Sequence, residues 1–105
     1  MKVMPNNLEA EQSLLGSIIL YERSVRIVIE SGLDSDDFFL DAHRKIFHAI
    51  ILINDERKPI DITTLHAKLQ DLNLLDVVGG LDYLIELQEA SVTSANTKNY
   101  VEIIQ

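Results

Sequence analysis

Apolar positions recur along almost the whole chain at the three-to-four-residue spacing of an α-helix. Between Asn6 and Leu20, Leu14, Leu15, Ile18 and Ile19 share one face. Glu9 and Glu11 stand near its start, where carboxylates complement the positive end of a helix dipole, and Asn6 or Asn7 can cap it. A shorter helix is predicted from Ser24 to Ser31, with Val25, Val28 and Ile29 inward and Gly32 in the left-handed position that ends it. Asp34 to Phe39 reads as a short helical turn with an aromatic anchor. Asp41 then caps a helix from Ala42 to about Asn54 carrying Ile46, Phe47, Ile50, Ile51 and Ile53, more than one face can hold. Such a helix is buried centrally, and Ile50, Ile51 and Ile53 are its candidate contacts to a second subunit.

Beyond the breaker Arg57-Lys58-Pro59, Asp61 caps a helix with Ile62, Leu65, Leu69 and Leu72. Its spacing lasts under two heptads, which favours core packing over a zipper. Gly79-Gly80 introduces a helix with Leu81, Leu84, Ile85 and Gln88 on one face. After a loop from Ser91 to Ala95, a last helix starts near Asn96 with Tyr100, Val101 and Ile104 in register. No glycine, terminal base or breaker precedes Gln105, so this end reads as the boundary of a piece of a longer chain. The pattern predicts an all-α, compact globular domain of about six helices spanning residues 1–105. Gly16, inside the first helix, costs about 1 kcal/mol relative to alanine. Close approach of a neighbouring helix is the expected reason for it.

Composition narrows what such a domain can do. Hydrophobic residues make up 47% of the 105 residues, enough for a real core, and no cysteine is present for a disulfide or a thiolate metal site. No apolar run is long enough to span a membrane, and the first five residues lack the core of a signal peptide. A cytoplasmic location is expected. Seventeen acids against nine bases give a net charge of −8, which disfavours direct nucleic-acid binding and favours a basic protein partner.

The motifs of catalysis fail individually. Gly79-Gly80 lacks the lysine and spacing of a phosphate loop, and no GxSxG elbow occurs. His43 and His48 are five residues apart, off the spacing of a helical metal pair, and read as packed or capping side chains. The acids of residues 34–37 lack the spacing of a calcium loop. No catalytic, cofactor-binding or metal residue is expected. Tyr83 lies off the stripe of its helix, either as a core-edge tyrosine or as an interface anchor. Glu9 and Glu11 are either dipole-complementing acids or contacts for a basic partner.

Taken together, the residues resemble the N-terminal domain of the bacterial replicative DNA helicase, the DnaB family. The resemblance rests on Pro5, Glu9-Ala10-Glu11-Gln12-Ser13-Leu14-Leu15-Gly16-Ser17-Ile18, Asp37-Phe38-Phe39 and His43-Arg44-Lys45-Ile46-Phe47-His48-Ala49-Ile50. It continues through Pro59-Ile60-Asp61, Thr64-Leu65, Leu69, Gly79-Gly80-Leu81-Asp82-Tyr83-Leu84, Ala95-Asn96 and Tyr100-Val101-Glu102-Ile103-Ile104. Tyr21, Ser35 and Val92 depart from the family pattern at loop or cap positions. The resemblance implies a hexameric, ATP-driven helicase whose N-terminal domains form a collar, each a helical head followed by a helical hairpin. Residues 1–105 would be the head, with the hairpin largely absent. ATP and magnesium would belong to a motor domain that is not in this chain. The implied partners are other helicase subunits, the C-terminal domain of primase and a helicase loader, with the isolated head a monomer or weak dimer. Glu9, Glu11 and Tyr83 are the candidate partner-binding residues. Two rivals are a free-standing acidic adaptor that regulates a helicase or primase, and a small metal-dependent enzyme using the acids and His43.

Overall fold

A computed structural model describes residues 5–91 and 96–105, with side chains from residue 8 onward. The first helix, α1, runs Pro5–Leu20. Proline suits a first helical position because its missing N–H would have no partner there. Asn6 and Asn7 therefore lie within the first turn rather than at the cap. There follow α2 (Glu22–Ser31), a 3-10 turn (Ser35–Asp37), α3 (Asp41–Asp55), α4 (Ile62–Asp71), the single turn α5 (Leu75–Val78), α6 (Gly80–Ala90) and α7 (Thr97–Ile104). No strand occurs among the described residues, so the class is all-α, as the periodicity predicts.

The core is built around α1, which packs against α2, α3, α6 and α7. Leu14, Leu15 and Ile18 are wholly enclosed, and Ile19 nearly so. On the far side α3 leans on the 3-10 turn, α4 and α5, and α4 reaches α6 to close the structure. Gly16 has the expected reason to be glycine. A Cβ there would stand 2.0 Å from the Leu87 carbonyl oxygen and 3.1 Å from Ser91 Cβ, so α1 and α6 touch backbone to backbone. Beside that notch Ser17 and Ser91 share a buried hydroxyl hydrogen bond of 2.8 Å. Ser24 and Thr97 form a second, of 2.7 Å, between α2 and α7.

Several local signals match the sequence expectations. Gly32 ends α2 at φ 77°, in the left-handed region. Asp61 caps α4 reciprocally: its carboxylate accepts the Thr64 N–H at 2.9 Å, and Thr64 Oγ1 accepts the Asp61 N–H at 3.0 Å. Helices α3 and α4 close with the same six-to-one motif, Lys58 N–H to Ile53 O at 3.2 Å and Leu74 N–H to Leu69 O at 2.8 Å. The left-handed residue at those ends is Arg57 (φ 61°) and Asn73 (φ 60°), not glycine.

Other expectations are corrected. Asp41 does not cap α3. It is the first helical residue and pairs with Lys45 one turn on, while Leu40 is the cap. Ile50 and Ile53 are not available to a second subunit, because both are buried in the core. Ile51 is half-buried against it, and polar or exposed residues such as His48 complete the outer face of α3. Ile29 points outward, whereas Val28 is buried as expected and Ser24 is buried beside it. On α6 the buried positions are Leu84 and Leu87, while Leu81 and Ile85 are exposed. The cause is the notch at Gly16, which draws in the face bearing Leu87 and Ser91 and turns the other leucine–isoleucine pair to solvent. Tyr21 precedes α2 and Ser35 opens the 3-10 turn, whereas Val92 and the rest of 92–95 lie outside the described residues.

Candidate functional site

Polar side chains buried in an apolar core must satisfy one another, and here they do so in a line. Glu11 of α1 is 2% exposed, and His43 of α3 is fully buried. Glu11 Oε1 lies 2.7 Å from His43 Nδ1, and His43 Nε2 lies 2.6 Å from the Tyr83 hydroxyl of α6. Gln12, next to Glu11, donates from Nε2 to that hydroxyl at 3.3 Å. The second carboxylate oxygen of Glu11 accepts the Phe39 N–H at 2.7 Å, and Oε1 also accepts the Leu40 N–H at 3.4 Å.

With a neutral imidazole beside a Glu11 carboxylate, which can only accept, Nδ1 carries the hydrogen and Nε2 accepts the tyrosine O–H. The tyrosine oxygen then accepts from Gln12, and each polar atom has a role. Glu11 also does for α3 what Asp41 was expected to do. Its negative charge sits where the chain enters α3 and holds the N–H groups of Phe39 and Leu40, which favours the positive end of that helix. Phe38, itself fully buried, closes the site with its ring edge toward His43 at 6.4 Å and 79°. The His43 and Tyr83 rings are near parallel at 11°, with centroids 5.9 Å apart. At that separation the hydrogen bond, rather than face-to-face stacking, joins them.

Burial pushes the Tyr83 phenol above its ordinary value, the hydrogen bond from Gln12 opposes this, and the charges of Glu86 and Glu11 reinforce it. The hydroxyl is therefore held protonated. A carboxylate–imidazole–hydroxyl line has the elements of a nucleophile relay. However, His43 is enclosed and both ring nitrogens are occupied by protein atoms, so no substrate atom can reach them. Among the described residues no group of three or more His, Cys, Asp or Glu side chains could hold a metal ion. The arrangement fastens α1, α3, α6 and the entry of α3 into one body.

The candidate partner-binding residues thus separate. Glu9 is exposed on α1. Glu11 is not available to a partner: its carboxylate is buried and fully engaged. Tyr83 is half-buried, its hydroxyl turned inward to His43 rather than wet, so only part of its ring faces outward. His43 and Gln12 were missed as members of a site. The signal for His43 was its register, in line with Ile46, Phe47 and Ile50 on the buried face of α3. On the surface, Lys68 donates to Glu56 at 2.6 Å and ties α4 to the end of α3. That bond, aided by Lys58, holds the Glu56 carboxyl below its ordinary range. No helix among the described residues is long and apolar enough to cross a membrane.

Comparison with known proteins covers the whole of this architecture. The family model described as the DnaB-like helicase N terminal domain matches residues 3–105. The replicative DNA helicase DnaC of Bacillus subtilis is 35% identical over 104 residues, which are 99% of this chain and 23% of that protein. The replicative DNA helicase DnaB of Geobacillus stearothermophilus is 36% identical over 104 residues, again 23% of its length. The chain thus spans under a quarter of the curated relatives it matches. The crystal structure of the N-terminal domain of DnaB helicase from Mycobacterium tuberculosis superposes with a TM-score of 0.88 at 35% identity, covering 92% of this chain and 67% of that one.

Proposed function

The chain belongs to the DnaB-like helicase N-terminal domain family, and on that footing we propose that it is the helical head of a replicative helicase collar, a non-catalytic module for ring assembly and for docking primase. The observation that carries the reading is the family match across residues 3–105, joined to a helical core that superposes on the tuberculosis domain. The interior agrees with an assembly role. Its buried polar groups are spent on one another, which suits a rigid body that presents its surface rather than a cleft. The net charge of −8 suits a basic protein surface and repels DNA phosphates. ATP and magnesium chemistry would belong to a motor outside residues 1–105, and the setting would be the cytoplasm. Other helicase subunits, primase and a loader are the proposed partners.

Glu9 and the outward part of the Tyr83 ring remain the proposed contacts, with Glu11 and Ile50 and Ile53 withdrawn. Isothermal titration of this domain with the C-terminal domain of primase from the same organism tests the docking claim. Saturable binding that weakens with added salt is expected. Absence of heat and of any mobility change at high micromolar concentrations of both would sink it. Unchanged affinity in folded Glu9→Ala and Tyr83→Ala proteins would remove the residue assignment alone.

A further inference from the structure

Three large apolar side chains follow one another along the outer side of α5 and α6: Val77 is 58% exposed, Leu81 42% and Ile85 38%. Leu81 and Ile85 lie one turn apart on one face of α6, and Val77 lies on the separate turn α5, just before the left-handed Gly79 and Gly80 that join the two. The other large exposed apolar residues stand singly, Leu20, Ile29 and Ile103 one to a helix and Phe39 in the link before α3, which is ordinary for a protein surface. A run of three on adjoining turns is not. Leu84 and Leu87 already fill the inward face of the helix, so the stripe is surplus to the core.

Its electrostatic setting is one-sided. From Gln70 to Thr97 the sequence holds five acids, Asp71, Asp76, Asp82, Glu86 and Glu89, and no lysine, arginine or histidine. On α6 the acids Asp82, Glu86 and Glu89 are exposed and, by helical rotation, lie along the flank of the stripe away from the core. An apolar stripe bordered by uncompensated carboxylates matches a helix with aliphatic residues on one side and lysine or arginine beside them. We propose that the face formed by Val77, Leu81 and Ile85 with its acidic border is the docking site for a basic amphipathic helix of a partner protein. The proposal rests on the reading of the chain as an interaction module and adds the surface and the chemistry of its occupant.

The test uses a synthetic leucine–lysine peptide with its leucines at helical spacing, against a peptide of the same composition in scrambled order. Fluorescence anisotropy should show the patterned peptide binding in the range of about 10–100 μM, weakening as salt rises from about 50 to about 300 mM. The double variant Leu81→Gln/Ile85→Gln, whose changes are at the surface, should bind about tenfold more weakly. Should that variant fail to fold, Glu86→Lys/Glu89→Lys supplies the same test through charge. Equal affinity for the scrambled peptide, or affinity untouched by both variants, overturns the proposal. So does sedimentation showing that the chain self-associates through these residues, because a second copy would then cover the face. Primase titrated in parallel separates the two claims. Primase that does not bind while the peptide arms succeed removes the docking reading and leaves the face. Primase that binds while both variants leave peptide affinity intact does the reverse.

Discussion

Replacing Gly16 with alanine tests how tightly α1 and α6 are joined. In an exposed helix the change would stabilise by about 1 kcal/mol through helix propensity. Here the new methyl group would lie 2.0 Å from the Leu87 carbonyl oxygen and 3.0 Å from its carbon, far inside van der Waals contact. The obstacle is backbone, so no rotamer change relieves it and the helices must move apart. Overpacking of this kind costs about 3 kcal/mol at the upper end of its usual range. Separation would also stretch the buried Ser17–Ser91 hydrogen bond at 2.8 Å, for about 1 kcal/mol more. The net is a loss of about 3 kcal/mol, or a fall in Tm of roughly 10–25 °C for a domain of this size. Thermal and urea unfolding followed by circular dichroism read both numbers. Gly32→Ala is the matched control: its Cβ would meet nothing within 4 Å, so only the left-handed φ of 77° opposes it, for about 1 kcal/mol. A Gly16→Ala protein as stable as the parent, or no worse than Gly32→Ala, would refute the close-contact reasoning. Ser91→Ala adds a finer check, since its cost should shrink in the Gly16→Ala background if the hydrogen bond is already strained.

Three further outcomes follow from the buried polar line and the helix ends. Glu11→Ala strands the His43 Nδ1–H and the Phe39 N–H without acceptors, and chemical denaturation should show a loss of about 3 kcal/mol or more. Burial raises the Tyr83 ionisation above its ordinary value near 10, so above that pH the unfolded chain releases a proton that the folded chain retains. Stability from this group is therefore intact below about pH 10 and declines as pH rises further. A pH series of urea midpoints should fall less steeply in Tyr83→Phe, and parallel curves would contradict the assignment. Arg57→Gly should stabilise by roughly 0.5–1 kcal/mol, because relief of the left-handed strain at φ 61° exceeds the added freedom of the unfolded glycine.

Much of the fold was legible because it is written locally. Asp61 three residues before Thr64, Gly32 after α2, and the leucine–isoleucine face of α1 all act within one or two turns. Gly16 was legible in kind, as a close approach, but the partner surface at Leu87 lies 71 positions away and no spacing rule connects them. The same distance hid the polar line. Glu11, His43 and Tyr83 are separated by 32 and 40 residues and meet only after three helices have packed. The face of α6 was misjudged for a different reason. Leu81 and Ile85 satisfy helical periodicity as well as Leu84 and Leu87 do, and only the notch on α1 decides which pair is buried. Ile50 and Ile53 were offered to a subunit because α3 is rich in isoleucine all round. His48 and the exposed acidic residues at its ends show that one side of it is solvated after all.

The two serine–serine and serine–threonine bonds, which span 74 and 73 residues, have a kinetic meaning. On the ribosome α1 emerges well before its main neighbours, α6 and α7. Until they follow, α1 exposes the part of its leucine and isoleucine row that α6 and α7 cover. The helices α3 and α4 are neighbours in sequence and can pair early, because closing a short loop costs less entropy than closing one of seventy residues. The order of folding should therefore run from the middle outward, with the amino-terminal helix seated last. A nascent chain halted after α5 could pack its opening helix only against α2 and α3, leaving the side that α6 and α7 cover open to chaperones.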